Sequence, residues 1–177
     1  MPENDELNDE FTQIYTENKN LKYINTDTFS TMLCNLNVGE LVAVESGAPV
    51  EEAISKMQEK GTGCVVVVSE NDKLIGMFTE RDVLRKIALQ GINVKKEKVD
   101  AYMTRHPETL NYADTIASAL NLMSTGGYRH IPIVDDANMP GGVVSIKDIV
   151  DFIVDHFHDE ILNMPAKLKH PERADGG

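Results

Sequence analysis

The sequence predicts a mixed α/β fold in which one unit is built twice, and three observations predict it. Residues Gly61–Asp82 read GTGCVVVVSENDKLIGMFTERD and Gly127–Asp148 read GYRHIPIVDDANMPGGVVSIKD, aligning without a gap at a constant offset of 66 residues, as from Gly61 to Gly127. The same offset carries Ala53 to Ala119, Met57 to Met123, Gly76 to Gly142, Asp82 to Asp148, and Thr79 to the hydroxyl-bearing Ser145. A shared period of this size marks one supersecondary unit used twice. Second, Cys64–Ser69 is an apolar, β-branched run of strand length, which suits a strand covered on both faces. Third, apolar stripes at helical spacing, such as Val50, Ala53, Ile54 and Met57, alternate with these strands.

Phe29, Met32, Leu33 and Leu36 fall at i, i+3, i+4 and i+7, which predicts one helical stripe in a lead-in that also holds Phe11, Ile14 and Tyr15. Leu41–Val44 reads as a short strand. Ser46–Pro49 is a turn opening a helix, with Pro near the first helical position. Gly61–Gly63 break that helix, Cys64–Ser69 follows as a strand, and Asn71–Asp72 make a turn. Leu74–Phe78 returns as a strand, and Glu80–Leu89 forms a helix with Val83, Leu84 and Ile87 inward. Repeat two gives strand Glu108–Leu110 and helix Asp114–Ser124 with Asp114 as N-cap. It continues with strands His130–Val134 and Gly142–Val144 and helix Ile146–Phe157. The chain then divides into an acidic tail and lead-in (1–37), repeat one (38–98), repeat two (99–158) and a C-terminal tail (159–177).

Composition bounds the function. The 177 residues are 41% hydrophobic, enough for a real core. Two copies suggest a compact pair rather than a solenoid. A net charge of −12 argues against a nucleic-acid partner, which needs a basic face. The longest apolar run, Cys64–Val68, is too short to span a bilayer, and the acidic start MPENDELNDE is no secretory signal. Cys34 and Cys64 form no CxxC pair and read as reduced thiols. The expectation is a cytoplasmic protein with residues 1–10 disordered.

The polar residues kept in both copies sit at the last strand-to-helix junction, Thr79-x-x-Asp82 and Ser145-x-x-Asp148. A hydroxyl at the N-cap with a carboxylate three residues later is a capping box, and that can suffice as its cause. The same geometry suits a nucleotide, because a helix start favours phosphate and a carboxylate accepts ribose hydroxyls. Recurrence in register, after the same glycine and strand, strengthens the second reading.

These motifs, with the upstream A-h-x-x-M helix and Tyr128–Val134 (YRHIPIV), resemble a tandem pair of cystathionine-β-synthase (CBS) domains over about Val38–Phe157. The resemblance implies two β-α-β-β-α repeats packed sheet to sheet about a pseudo-twofold axis, leaving two clefts. It implies a stand-alone regulatory module without catalytic activity that binds an adenosyl ligand: AMP, ADP, ATP, S-adenosylmethionine or sometimes NAD. Carried over by position, Asp82 and Asp148 would hold ribose hydroxyls, and Thr79 and Ser145 would line the ribose or phosphate end. Thr62, Gly63 and Cys64 with Tyr128, Arg129 and His130 would border the adenine and the inter-repeat cleft. A homodimer is also implied, with the helices after each motif as dimer faces (Val83, Leu84, Ile87; Ile149, Phe152, Ile153), and an unidentified effector protein receives the signal.

The copies differ where repeat one has Gly63 and Cys64 and repeat two has Arg129 and His130. Small residues leave room for a base, while Arg and His reach phosphate charge. One site is expected to combine Gly63, Cys64, Arg129, His130, Ser145 and Asp148, making the Asp148 cleft the better occupied. Cys64 and His130, at equivalent repeat positions, could face each other across the pseudo-axis, but no third orienting residue or oxyanion hole accompanies them. His156 and Glu160, with His158 and Asp159 nearby, are metal-ligand types on one helix face without a third or fourth ligand, so a solvated helix end is expected. Two further readings stand beside the sensor: a ligand-free dimeric scaffold, and a switch driven by metal at the His-rich tail or by redox chemistry at Cys34 and Cys64.

Overall fold

The structure is a computed structural model that describes residues 26–157. A short helix, α1 (Thr26–Phe29), and a 3-10 turn at Leu33–Asn35 lead into β1 (Ala43–Glu45). Next come α2 (Val50–Lys60), β2 (Cys64–Val68) and β3 (Leu74–Thr79). Helix α3 is one α-turn, Glu80–Asp82, that widens into a π-turn, Val83–Ile87. A second 3-10 turn, Val99–Ala101, precedes β4 (Thr104–Arg105). Repeat two continues with α4 (Ile116–Gly126), β5 (His130–Val134), β6 (Pro140–Ser145) and α5 (Ile146–His156). None of the described helices is long and apolar enough to cross a membrane.

The chain divides into two compact units, of which Asn25–Phe152 contains both sheets. Of the other unit the described residues are Ile153–Phe157, where the Phe157 amide donates to Ile153 O (3.0 Å). The acidic start, Phe11, Ile14 and Tyr15, and the tail residues His158, Asp159 and Glu160 lie outside the described residues.

Within Asn25–Phe152 one sheet runs β1-β2-β3-β4, with β1 parallel to β2 and the rest antiparallel, and the other pairs β5 with β6. The 66-residue offset reaches individual bonds. Cys64 opposes Thr79 as His130 opposes Ser145, and both hairpins carry a bulge at the same step, Val67/Val68 and Ile133/Val134. Both turns place an equivalent residue at positive φ, Asp72 at 56° and Asn138 at 63°. Asp and Asn tolerate that region better than most side chains.

All of β2 is buried, because it is covered on both faces as its apolar run predicts. Val65 and Val67 pack with Val50, Ala53 and Met57 of α2, while Val66 and Val68 pack with Leu74, Val134 and Val143 between the two sheets. Burying a valine contributes about 1.5–3 kcal/mol, so the sheet-to-sheet seam is a principal source of cohesion. Leu74 and Asn138 also exchange two hydrogen bonds across it, at 3.0 and 2.9 Å.

The lead-ins are exchanged. The Leu33 amide donates to Asp114 O of repeat two (2.8 Å), and its counterpart Val99 donates to Ala48 O of repeat one (2.9 Å). Ile116 N donates to Thr31 O as Val50 N donates to Glu97 O, and the bridge Met32–Thr115 mirrors Lys98–Pro49. Each repeat thus closes on the segment that precedes the other, which defines the pseudo-twofold relation.

Four sequence expectations are corrected. Phe29, Met32, Leu33 and Leu36 do not share one helix: Met32 is extended (φ −72°, ψ 148°) to make its bridge with Thr115, while Leu33 and Leu36 are buried. The strand expected at Glu108–Leu110 is reduced to the single bridge Leu110–Ile133. In repeat one Val66 N donates to Val42 O, but the equivalent of Val66 is Pro132, which has no N–H to give. The α4 N-cap is Thr115, whose side chain accepts from Ser118 N, whereas Asp114 accepts from Asn111 N (2.7 Å) to close the preceding turn. Leu84 points outward, 72% exposed, as its equivalent Val150 does at 49% in α5, so this helix position faces away from the sheets in both repeats.

Candidate functional site

Two related clefts flank the sheet-to-sheet seam, and their linings correspond at the 66-residue offset. The Asp82 cleft, about 430 Å³, contains Thr79, Arg81, Asp82, Arg85, Lys86, His106 and Tyr128. The Asp148 cleft, about 440 Å³, contains Glu40, Lys60, Thr62, Cys64, Glu80, Ser145, Lys147 and Asp148. Gly63, Arg129 and His130 line both. Both volumes fall in the range of small-molecule sites, roughly 300–1,000 Å³.

The paired hydroxyl and carboxylate are built from the backbone upward. As β3 ends, the Thr79 hydroxyl accepts from Asp82 N (3.3 Å), and Asp82 Oδ2 accepts from Thr79 N (3.0 Å) and Thr79 Oγ1 (2.7 Å). Ser145 and Asp148 repeat this, at 3.2, 2.7 and 2.8 Å. Both motifs are therefore capping boxes, and each leaves Oδ1 of its carboxylate for another partner. At Asp82 that partner is the Lys86 ammonium, 2.8 Å away. At Asp148, Oδ1 has no partner among the described residues.

Charge separates the clefts further. In the Asp148 cleft Lys60 pairs with Glu40 (3.0 Å), which raises the lysine pKa through their hydrogen bond, and Lys147 pairs with Asp151. In the Asp82 cleft Arg81 donates to Gly127 O (2.9 Å), and the guanidinium groups of Arg85 and Arg129 have no ion-pair partner among the described residues. Counting ionised side chains, Arg81, Arg85, Lys86 and Arg129 face only Asp82 and Glu108 in one cleft. Lys60, Lys147 and Arg129 face Glu40, Glu80 and Asp148 in the other.

The shared wall has a specific shape. A Cβ on Gly63 would stand 3.2 Å from His130 Cε1 and 3.3 Å from Glu80 Oε2, so part of the room left by this glycine admits the imidazole. Burial, and then the Arg129 charge, hold the His130 pKa below its ordinary value, with Glu80 and Asp148 opposing. The Cys64 thiol is pushed up to about 11, chiefly by burial. It is therefore protonated and a poor nucleophile at neutral pH. No cluster of three or more potential metal ligands occurs among the described residues.

The structure thus brings Thr62, Gly63, Cys64, Arg129, His130, Ser145 and Asp148 to one cleft, and Gly63, Thr79, Asp82, Tyr128, Arg129 and His130 to the other. Sequence reasoning passed over Arg81, Arg85, Lys86 and His106. The signal was present in the offset, which pairs them with Lys147, Asp151, Phe152 and Glu40.

The fold is that of a CBS domain pair. The CBS domain family matches residues 38–89 and 99–155, and the chain belongs to that family. An uncharacterized protein of Methanopyrus kandleri, MK0525, is 33% identical over 142 residues, covering 76% of this chain and 72% of that one. The CBS domain pair of protein MJ0100, solved with 5′-methylthioadenosine and S-adenosyl-L-methionine, superposes with a TM-score of 0.64 at 21% identity, covering 71% of this chain and 98% of that one. The CBS domain protein PAE2072 of Pyrobaculum aerophilum, complexed with AMP, gives 0.62 at 22%, covering 67% and 89%.

Proposed function

We propose that this chain is a non-catalytic regulatory module that binds an adenosyl ligand, an adenine nucleotide or S-adenosylmethionine, in the clefts between its CBS repeats. It passes occupancy to a partner protein by contact. The observation that carries this reading is the Asp148 carboxylate, held by Ser145 through one oxygen while the other faces a cleft of ligand size. Such an acceptor suits the two hydroxyls of a ribose. The fold relatives solved with AMP, or with methylthioadenosine and S-adenosylmethionine, support the ligand class. Asp148 is the better ribose acceptor of the two, since Asp82 is already engaged by Lys86.

Relay to a partner is supported by Leu84 and Val150, equivalent in the two repeats and 72% and 49% exposed on the helices that follow each cleft. A homodimer would cover both. A ligand moves such an assembly only by its difference in affinity for the two states.

Calorimetry and thermal shift with AMP, ADP, ATP and S-adenosylmethionine test the reading. A ligand at 100 times its Kd stabilises the fold by about 2.7 kcal/mol. Asp148→Asn, which removes the charge and keeps the shape, is expected to weaken binding about tenfold or more. Unchanged affinity would reduce Asp148 to a helix cap. No shift with any of these ligands would favour the scaffold reading, which the fully bonded capping boxes also accommodate.

A further inference from the structure

On the helices that follow the paired motifs, Arg85 against Asp151 and Lys86 against Phe152 make α3 the more positive, while Glu80 against Ile146 runs the other way and faces the Asp148 cleft. Arg81, Arg85 and Lys86 of α3 correspond to Lys147, Asp151 and Phe152 of α5, and His106 corresponds to Glu40. We propose that Lys86 makes the Asp82 cleft selective for nucleoside polyphosphates over adenosyl ligands without phosphate, whereas the Asp148 cleft accepts the adenosyl group whatever its charge. This rests on the adenosyl-binding reading above and assigns different ligand classes to its two sites.

The geometry gives the reason. The Lys86 ammonium lies 2.8 Å from Asp82 Oδ1 and also donates to Tyr102 O (2.5 Å). It thereby occupies the oxygen that a ribose would need. A neutral nucleoside entering this cleft must part Lys86 from Asp82 and offers the ammonium nothing in return. A polyphosphate takes the ammonium as its own counter-ion and leaves Asp82 to the ribose. Arg85 and Arg129, without acidic partners, add charge-assisted bonds to phosphate oxygens, which are the stronger class of hydrogen bond. The pair itself is partly exposed, 42% at Lys86 and 12% at Asp82, so its closure is a modest barrier and the phosphate contacts supply most of the discrimination. In α5 Phe152 stands at the position of Lys86 and supplies no ammonium, so Asp148 Oδ1 keeps no partner among the described residues.

The test is titration calorimetry on the full chain carrying Asp148→Asn, with ATP, ADP, AMP and adenosine at low and moderate salt. Affinity should rise with phosphate number, ATP exceeding adenosine about tenfold or more, and the difference should shrink with salt. Adding Lys86→Met should weaken ATP, strengthen adenosine and reduce their ratio about tenfold, while Lys86→Arg keeps it. Equal affinity for ATP and adenosine, or a ratio unmoved by Lys86→Met, would overturn the selectivity and leave the adenosyl-binding reading intact. Failure of the unsubstituted chain to bind any of the four would overturn this inference, and failure with S-adenosylmethionine as well would overturn the adenosyl-binding reading.

Discussion

His130 stands in the wall that the two clefts share, and its protonation is tied to folding. Burial and the Arg129 charge favour the neutral ring in the folded protein, against the partial opposition of Glu80 and Asp148. The folded pKa therefore lies below 6.5, the ordinary value of the unfolded chain. The stability contributed by the neutral ring is full above that value. As pH falls through it, the unfolded chain binds a proton that the folded chain refuses, and the contribution is lost until the folded ring itself titrates. The melting temperature is expected to fall between about pH 7 and about pH 5.5, and to fall less in His130→Gln. Parallel profiles for the two proteins would show that other groups govern this window. Cys64 makes a simpler contrast with the exposed Cys34, because its thiol is buried and protonated. That weakens the redox reading at the one cysteine that reaches a cleft.

At the scale of elements, local chemistry and long-range packing compete. The capping boxes at Thr79 and Ser145 are local devices, and the Pro132 gap in the β5 ladder is a single missing donor. Gly76 is different: it lies buried in β3 because the Met103 side chain, arriving with the lead-in of repeat two, covers it. A Cβ there would fall within the Met103 side chain. Gly76→Ala is expected to destabilise by about 1–3 kcal/mol through overpacking. Met103→Ala alone should cost about 2–5 kcal/mol through a cavity. Their combination should cost less than the sum, since the new methyl enters the vacated space. Chemical denaturation of the four proteins measures the coupling, and strict additivity would mean that the two side chains do not meet.

For the whole molecule the exchanged lead-ins matter most. Leu33 is fully buried and its backbone closes on Asp114, so a residue that precedes repeat one stabilises repeat two. Leu33→Ala should cost about 2–5 kcal/mol. Hydrogen exchange should show the loss first at Ile116, whose amide donates to Thr31 O, and later at its counterpart Val50, which donates to Glu97 O. Equal loss at both amides would show that the repeats open as one unit rather than through the lead-in. The apolar Leu84 and Val150 belong to this scale too, as the surface through which assembly would be transmitted.

Much was legible in the sequence because the duplication exposes what each position must do. Strands β1, β2, β3, β5 and β6 and the turn at Asp72 follow from composition and periodicity, which are local properties, whereas β4 and the single bridge at Leu110 do not. Asp82 and Asp148 stand out because a hydroxyl and a carboxylate recur in register after the same glycine. The same offset also pairs Lys86 with Phe152, but nothing in the residues alone says that Lys86 lines a cleft. Other features were invisible for a physical reason. The Met32 stripe has helical spacing, yet a backbone bridge to Thr115 in the other repeat overrides that preference. Leu84 turns outward with its equivalent Val150, because packing of each helix on its own sheet selects the buried face. The repeat, most of its strands and helices, its paired carboxylates and the Lys86 that follows Asp82 by one helical turn could be read from the residues, since these rest on short-range pattern. Only the tertiary structure decided that both helix starts line clefts and that Tyr102 O, arriving with the lead-in of repeat two, takes a hydrogen bond from the Lys86 ammonium beside Asp82, because those contacts join residues distant in the sequence.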